Sequence, residues 1–408
     1  MMQLTTLDNG LRVASRTMDG LETVAVGLYA EAGSRHEPAR LNGIAHLFEH
    51  MVFKGAGSRS AREISEAIED VGGDLNACTD RDQTSFSASL IAGHLPLGIE
   101  LIADMILRPR FAEDDLAREK EVVLQELAEA QGTPSDIIFD DLWMAAFPDQ
   151  PLGRSILGDE ASVGAITVED LHGWRTGHYR AGSLTLVAAG KVGHQALVAL
   201  AEARFADLPA GTTPPAEPAR FAGGVRTGSP KAGQAHLAAA YAAPGIHDPE
   251  YYPARLFSDI VGSGASSRLF QAVREDRGLA YSVWSSLQPY DDAGLFYFYA
   301  ATARREAPAA AALIAEVVAD AAATATQREL DRARAQAKAG LLMSLESSWG
   351  QAAYVARQLA IKGRLVEPAE VVAEIDAVTL EQVRAAGVRM LAGPRASATI
   401  GMPAVRAA

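Results

Sequence analysis

The order of elements in this chain is written twice, and that repetition limits the fold more than any other feature of the sequence. Hydrophobic periodicity predicts strands near residues 3–6, 11–17 and 23–31. A helix follows, then a second helix at about 60–71 that ends at Gly72 and Gly73. Strands near 74–79 and 83–91 come next, then helices near 95–107, 112–130 and 134–147. A helix closing at 174–179, a buried strand over 183–190 and a helix near 193–205 complete the first set. The turn-rich segment from Leu208 to Pro218 then interrupts the pattern. Beyond it a strand at 235–242 resembles the one at 24–31, and a helix at 252–262 takes the place of the first helix. Strands at 280–287 and 294–301 precede long helices at 306–322 and 326–345. A period of roughly 210 residues predicts two related α+β domains, over 1–207 and 223–408, with 208–222 as linker.

The first helix carries His46-Leu47-Phe48-Glu49-His50. Histidines four apart lie on one helical face, so both imidazoles can reach one metal ion, and Glu49 lies on nearly the same face. The order H-x-x-E-H is the inverse of the commoner zinc peptidase pattern. Zinc held by three protein groups lowers the pKa of a coordinated water to about 7, and a carboxylate alongside can take its proton. A third ligand is required. The helical stretch 115–129 offers Glu119 and Glu126, which are seven apart and share a face with Val122 and Val123 between them. Carboxylates on an apolar stripe are costly to bury unless paired or metal-bound. Glu121 and Glu129 are the rivals, read as solvated charges.

A formal net charge of −14 argues against nucleic acid or an anionic membrane as the main partner, and suits a surface that attracts basic peptides. One cysteine, Cys78, excludes an intramolecular disulfide framework and a Cys-based metal site. Absence of an uncharged apolar run near 18 residues predicts no membrane span. The N-terminus enters strand-like sequence directly, without a charged leader, so the expected location is the bacterial cytoplasm.

With these residues in place, the whole chain resembles the pitrilysin family, in its short-chain branch typified by mitochondrial processing peptidase. The resemblance implies paired domains, each a largely antiparallel sheet with helices packed on one face. It implies one zinc ion per chain held by His46, His50 and Glu126, which lies 76 residues beyond His50. Glu49 is then the general base, and Glu119 steadies a ligand from behind, as carboxylates beside metal-bound imidazoles do. The segment holding Asn76, Ala77 and Cys78 follows a double glycine and reads as a sheet edge able to pair with an extended peptide. In the family the matching segment has that task. Cys78 there would be a small filler or a thiol-sensitive point. Arg274 and Tyr281, seven apart, resemble the family's pair that binds substrate and steadies the oxyanion. In longer relatives that pair lies in the half opposite the zinc, so here it is expected to act in trans within a homodimer. A heterodimer with a site-less paralogue is the other arrangement. Asp136 and Asp140, four apart, match acidic positions that recognise a basic residue near the scissile bond. The implied function is a zinc endopeptidase for unfolded peptides or N-terminal leaders. The alternative is a non-catalytic scaffold or assembly subunit, whose mark would be a lost ligand.

Overall fold

The computed structural model of the chain describes residues 1–229 and 232–402. Three strands, β1 (Met2–Thr6), β2 (Arg12–Thr17) and β3 (Thr23–Ala30), lead into α1 (Ile44–Val52). A short hairpin, β4 (Gly55–Ala56) and β5 (Arg59–Ser60), precedes α2 (Ala61–Glu69), β6 (Asp74–Thr79) and β7 (Thr84–Ile91). Then come α3 (Leu95–Leu107), α4 (Glu113–Gly132), α5 (Pro134–Ala146), α6 (Glu160–Ala165), α7 (Val168–His178), β8 (Leu184–Gly190) and α8 (His194–Phe205). The second half runs β9 (Gly224–Thr227), β10 (Ala235–Ala243), α9 (Tyr251–Gly262), a π-helical stretch at Phe270–Asp276, β11 (Ala280–Pro289) and β12 (Gly294–Thr302). It ends with α10 (Ala307–Thr324), α11 (Gln327–Ser344), α12 (Ser348–Lys362), α13 (Pro368–Ala377), α14 (Leu380–Ala392) and β13 (Arg395–Ile400).

The repeat is present in the strand order itself. One sheet runs β1-β2-β8-β3-β7-β6 and the other, read from its far edge, β9-β13-β10-β12-β11. Matching β2, β8, β3, β7 and β6 to β9, β13, β10, β12 and β11 preserves every neighbour. It also preserves orientation: β2 and β8 are parallel, as are β13 and β9, and all other pairs are antiparallel.

The compact units are not contiguous halves of the sequence. Unit 1 contains residues 1–128, 155–217 and 342–366; unit 2 contains 129–154, 218–341 and 367–408. Each unit thus takes one helix from the other half of the chain. The cause is sheet burial. Val24, Val26 and Leu28 of β3 face a core that includes Ile99 and Ile102 of α3. Successive strand residues point to opposite faces, and the intervening Ala25 and Tyr29 are buried as well. Helix α12 packs along β8, β3 and β2, so the sheet of unit 1 needs that helix from the second half. In unit 2, α5 packs on β13, β10 and β9, and its Ile138, Leu142 and Trp143 join a core with Ala238, Ala240 and Leu295. Trp143 Nε1 donates to the Tyr290 hydroxyl at 2.6 Å. A period search finds amphipathic helices but not which sheet each will cover.

Among the described residues α10 alone is long and apolar enough to cross a membrane. Its window includes Glu316 and Asp320, and its Ala310, Ile314, Val318 and Ala321 are buried where it packs on α9 and α14.

Unit 2 also holds an acid-sensitive lock. Burial alone would raise the Glu329 carboxyl, but hydrogen bonds from Arg268 and Thr326 overcome this and hold it at about 2. Arg268 grips it through Nε at 2.6 Å and Nη2 at 2.8 Å. A carboxyl lowered by folding stabilises above its unfolded pKa of about 4.5, and that stability is lost as pH falls towards 2. Urea unfolding of wild type and Glu329→Gln is therefore expected to show a stability gap at pH 6 that narrows as pH drops from 5 to 3; a constant gap would exclude the lock.

Candidate active site

Helix α1 turns one face to the core and the other to the site. Ile44, Ala45, Leu47, Phe48, Met51 and Val52 are buried, and full burial of a side chain such as Phe48 is worth roughly 1.5–3 kcal/mol. His46, Glu49 and His50 are left on the remaining face. The chain enters α1 through Gly43, whose φ of 93° is left-handed and whose absent Cβ would lie 2.8 Å from the Leu157 carbonyl oxygen. The N-terminal amides of the helix need acceptors. Glu37, only 2% exposed, supplies them: Oε2 accepts from Gly43 N at 2.9 Å and Asn42 Nδ2 at 2.8 Å, and Oε1 accepts from Ala45 N at 2.8 Å. Sequence reasoning missed Glu37, because a cap acting from outside the usual capping position has no fixed spacing.

Helix α4 buries Leu116, Glu119, Val123 and Leu127 along one stripe. Leu116 and Val123 share a core cluster with Phe48 and Met51. This packing brings Glu126 beside the two histidines. His46 Nε2 and His50 Nε2 each lie 3.8 Å from Glu126 Oε2, and one ligand atom from each of the three residues lies within 4.8 Å of the others. Tetrahedral ligands about 2.0–2.2 Å from zinc are about 3.4 Å apart, so small side-chain shifts close the set around one ion. Burial, then the neighbouring His50, pushes His46 down to about 4. Its imidazole is therefore neutral at pH 7, the form that ligates. Two nitrogens and one carboxylate oxygen are the donor set of a zinc peptidase site, with one position left open. Glu121 and Glu129 are not part of this cluster.

Behind the ligands, Glu119 Oε2 lies 3.2 Å from His50 Nδ1, and Lys54 Nζ lies 2.8 Å from Glu119 Oε1. A carboxylate at Nδ1 fixes the tautomer that leaves Nε2 free for a metal. Lys54 was missed in the sequence although it was legible there: His46, His50 and Lys54 recur every four residues. Glu119→Gln is expected to weaken zinc binding by about 10–100-fold, read by competition with a chromophoric chelator; unchanged affinity would remove Glu119 from the site.

Glu49 Oε2 accepts a hydrogen bond from Thr79 Oγ1 at 2.6 Å. Burial raises the Glu49 carboxyl, and Thr79 and His50 oppose that rise. Thr79 ends β6, which among the described residues is the last strand of its sheet and pairs only with β7. Asn76, Ala77 and Cys78 lie on that strand. Asn76 Oδ1 accepts from the Ala77 amide at 2.8 Å. Burial pushes the Cys78 thiol up, with Glu49 and Asp80 adding to the effect. Less thiolate means less reactivity, but Cys78 is exposed, which does not fit a filler.

The remaining predicted residues belong to unit 2. Arg274 Nη1 donates to the Tyr281 carbonyl at 2.9 Å, and its guanidinium stands over the Tyr281 ring, 4.5 Å from the centroid. Tyr281 is 78% exposed, so its hydroxyl is presented outward rather than built into a core. Asp136 lies exposed in the first turn of α5, where a negative charge also complements the helix dipole. Asp140 follows one turn later and is half-buried.

Unit 2 has its own version of the motif helix. Residues 45–52 of α1 align without a gap with residues 254–261 of α9, sharing Ala, Leu, Phe and Val. Arg255 stands for His46, Ser258 for Glu49 and Asp259 for His50. Arg255 Nε donates to both Asp259 oxygens at 3.2 Å. On α11, Leu330 and Arg332 match Leu116 and Arg118 of α4, which puts Ala333 at the place of Glu119 and Gly340 at that of Glu126. An ion pair at the same four-residue spacing has replaced the metal ligands.

The comparisons with known proteins agree with this division. Residues 12–160 match the insulinase (peptidase family M16) model, and residues 165–337 match the peptidase M16 inactive domain. An uncharacterised zinc protease of Rickettsia bellii is 33% identical over 97% of this chain and 96% of its own length. The chain belongs to peptidase family M16. An uncharacterised zinc protease of Mycobacterium tuberculosis is 34% identical to this M16 chain, over 97% of it and 92% of the relative. A mitochondrial-processing peptidase subunit beta of Lentinula edodes is 32% identical over 94% of the chain and 86% of its own length. Among solved structures, a peptidase M16 inactive domain from Pseudomonas fluorescens superposes with a TM-score of 0.91 at 23% identity, covering 100% of this chain and 99% of its own. That likeness shows the fold.

Proposed function

We propose that this M16 chain is a zinc-dependent endopeptidase acting on extended peptides or N-terminal leader segments. One observation carries the reading: His46, His50 and Glu126 converge on a single point beside Glu49, and Glu49 is tied to the outermost strand of the sheet. When bound, zinc supplies a Lewis acid and lowers the pKa of a coordinated water. Glu49 takes a proton from the attacking water and returns it to the leaving amine. The free edge of β6 aligns an extended substrate by main-chain hydrogen bonds. Arg274 and Tyr281 meet the substrate carbonyl as cation and donor, contributed to the zinc site of a second copy in a homodimer. Asp136 and Asp140 give a preference for a basic residue near the cleavage point. The scaffold alternative is disfavoured because His46, Glu49, His50, Glu119 and Glu126 are all retained.

The test is cleavage of a quenched, arginine-containing presequence-like peptide, with the zinc content recorded alongside. Wild type is expected to cut and to stop when chelated. Action in trans has a separate readout. Glu49→Gln and Tyr281→Phe chains, each inactive alone, should recover about one quarter of wild-type activity after mixing and subunit exchange, since half the dimers then hold one complete site of two. No recovery in chains shown to exchange would remove the trans assignment. A zinc-loaded wild type that cuts nothing would overturn the peptidase reading.

A further inference from the structure

We infer that Thr79 is a positioning residue for catalysis: its hydroxyl fixes the orientation of the Glu49 carboxylate and ties it to the strand that receives the peptide. The inference rests on the peptidase reading above. Its basis is local geometry. Thr79 Oγ1 lies 2.6 Å from Glu49 Oε2 and 3.5 Å from the Ala45 carbonyl oxygen. A hydroxyl has one proton to donate, and the shorter contact, to a carboxylate, is the stronger one. Thr79 is also the last residue of β6, paired with Thr84 across the hairpin, and among the described residues β6 has no neighbour on its outer side. One six-residue strand therefore carries both the free peptide-binding edge and the group that holds the base. A peptide seated in register on β6 is placed relative to Glu49 by that strand alone.

The experiment measures kcat and KM on the quenched peptide for wild type, Thr79→Val, Thr79→Ala and Thr79→Ser, with zinc content and melting temperature for each. Thr79→Val and Thr79→Ala are expected to lose about 10–100-fold in kcat, the scale of a misplaced reacting group. KM should stay within about threefold and zinc content unchanged. Thr79→Ser, which keeps the donor, should stay within about threefold of wild-type kcat. Wild-type kcat in Thr79→Val or Thr79→Ala would overturn the inference, as would a Thr79→Ser variant as impaired as Thr79→Ala. A loss confined to KM, or one that tracks lost zinc or a fallen melting temperature in all three variants, would make Thr79 merely structural. If Thr79→Val does not fold, the Ala and Ser pair decides. A wild type that cuts nothing would remove the peptidase reading itself, whereas an active wild type with an unaffected Thr79→Ala removes only the role of Thr79.

Discussion

Replacing Glu49 by Gln is expected to lower kcat by about 10²–10⁴-fold, the range for loss of a positioned general base, while the protein keeps its zinc. Gln has the same shape, and its amide oxygen can still accept from Thr79, so the 2.6 Å contact need not be lost. What it loses is the ability to take a proton. Because His46, His50 and Glu126 hold the converging ligand atoms, metal content is expected to match wild type. Zinc analysis and peptide turnover on the same preparation check this. A variant that retains more than a tenth of wild-type kcat would show that Glu49 is not the base, and loss of zinc would show that it is a ligand.

The largest effect on stability is expected at Glu37. Glu37→Ala leaves the Gly43 and Ala45 amides without their carboxylate acceptor in a buried region, while the Asn42 side-chain amide keeps the Ser155 carbonyl. Hydrogen bonds to charged groups contribute about 1.5–3 kcal/mol each, and contributions within one network are not additive. With two buried amides left unsatisfied at about 1–3 kcal/mol each, a loss of about 2–5 kcal/mol is the expected scale, read as a shift in the urea midpoint at unchanged slope. Because Glu37 caps the helix that carries both histidines, zinc affinity should fall with stability. A loss below about 1 kcal/mol would show that water replaces the carboxylate and that the cap is dispensable.

The site was more legible than the packing. His46, Glu49 and His50 share a helix, so a five-residue pattern contains their geometry, and Glu126 lies on the same amphipathic helix as Glu119. Thr79 and Glu37 were not readable, because each acts on α1 from a separate loop or strand and tertiary packing alone creates the contact. Most strands of the two repeats were legible from alternation, including Ala235–Ala243 and Gly294–Thr302, whereas Gly224–Thr227 was not. The residues after Ser344 were not assigned, and β13, which lies between β10 and β9 in its sheet, has a small-residue pattern that alternation reads weakly. The exchange of α5 and α12 between units escaped for a different reason. Amphipathicity says that a helix has a buried side and is silent about which sheet it meets.

If the site takes zinc as proposed, the Arg255–Asp259 pair on α9 would give the molecule an internal split in its dependence on zinc supply. A ligand adds stability only to the state that binds it, so filling the site should slow amide exchange in α1 and α4. Helix α9 has its charges balanced within itself by Arg255 and Asp259, and α9 and α11 should exchange at the same rate with or without the metal. A cell short of zinc would then hold this chain half finished rather than unfolded, with the second repeat already set and the first awaiting its ion.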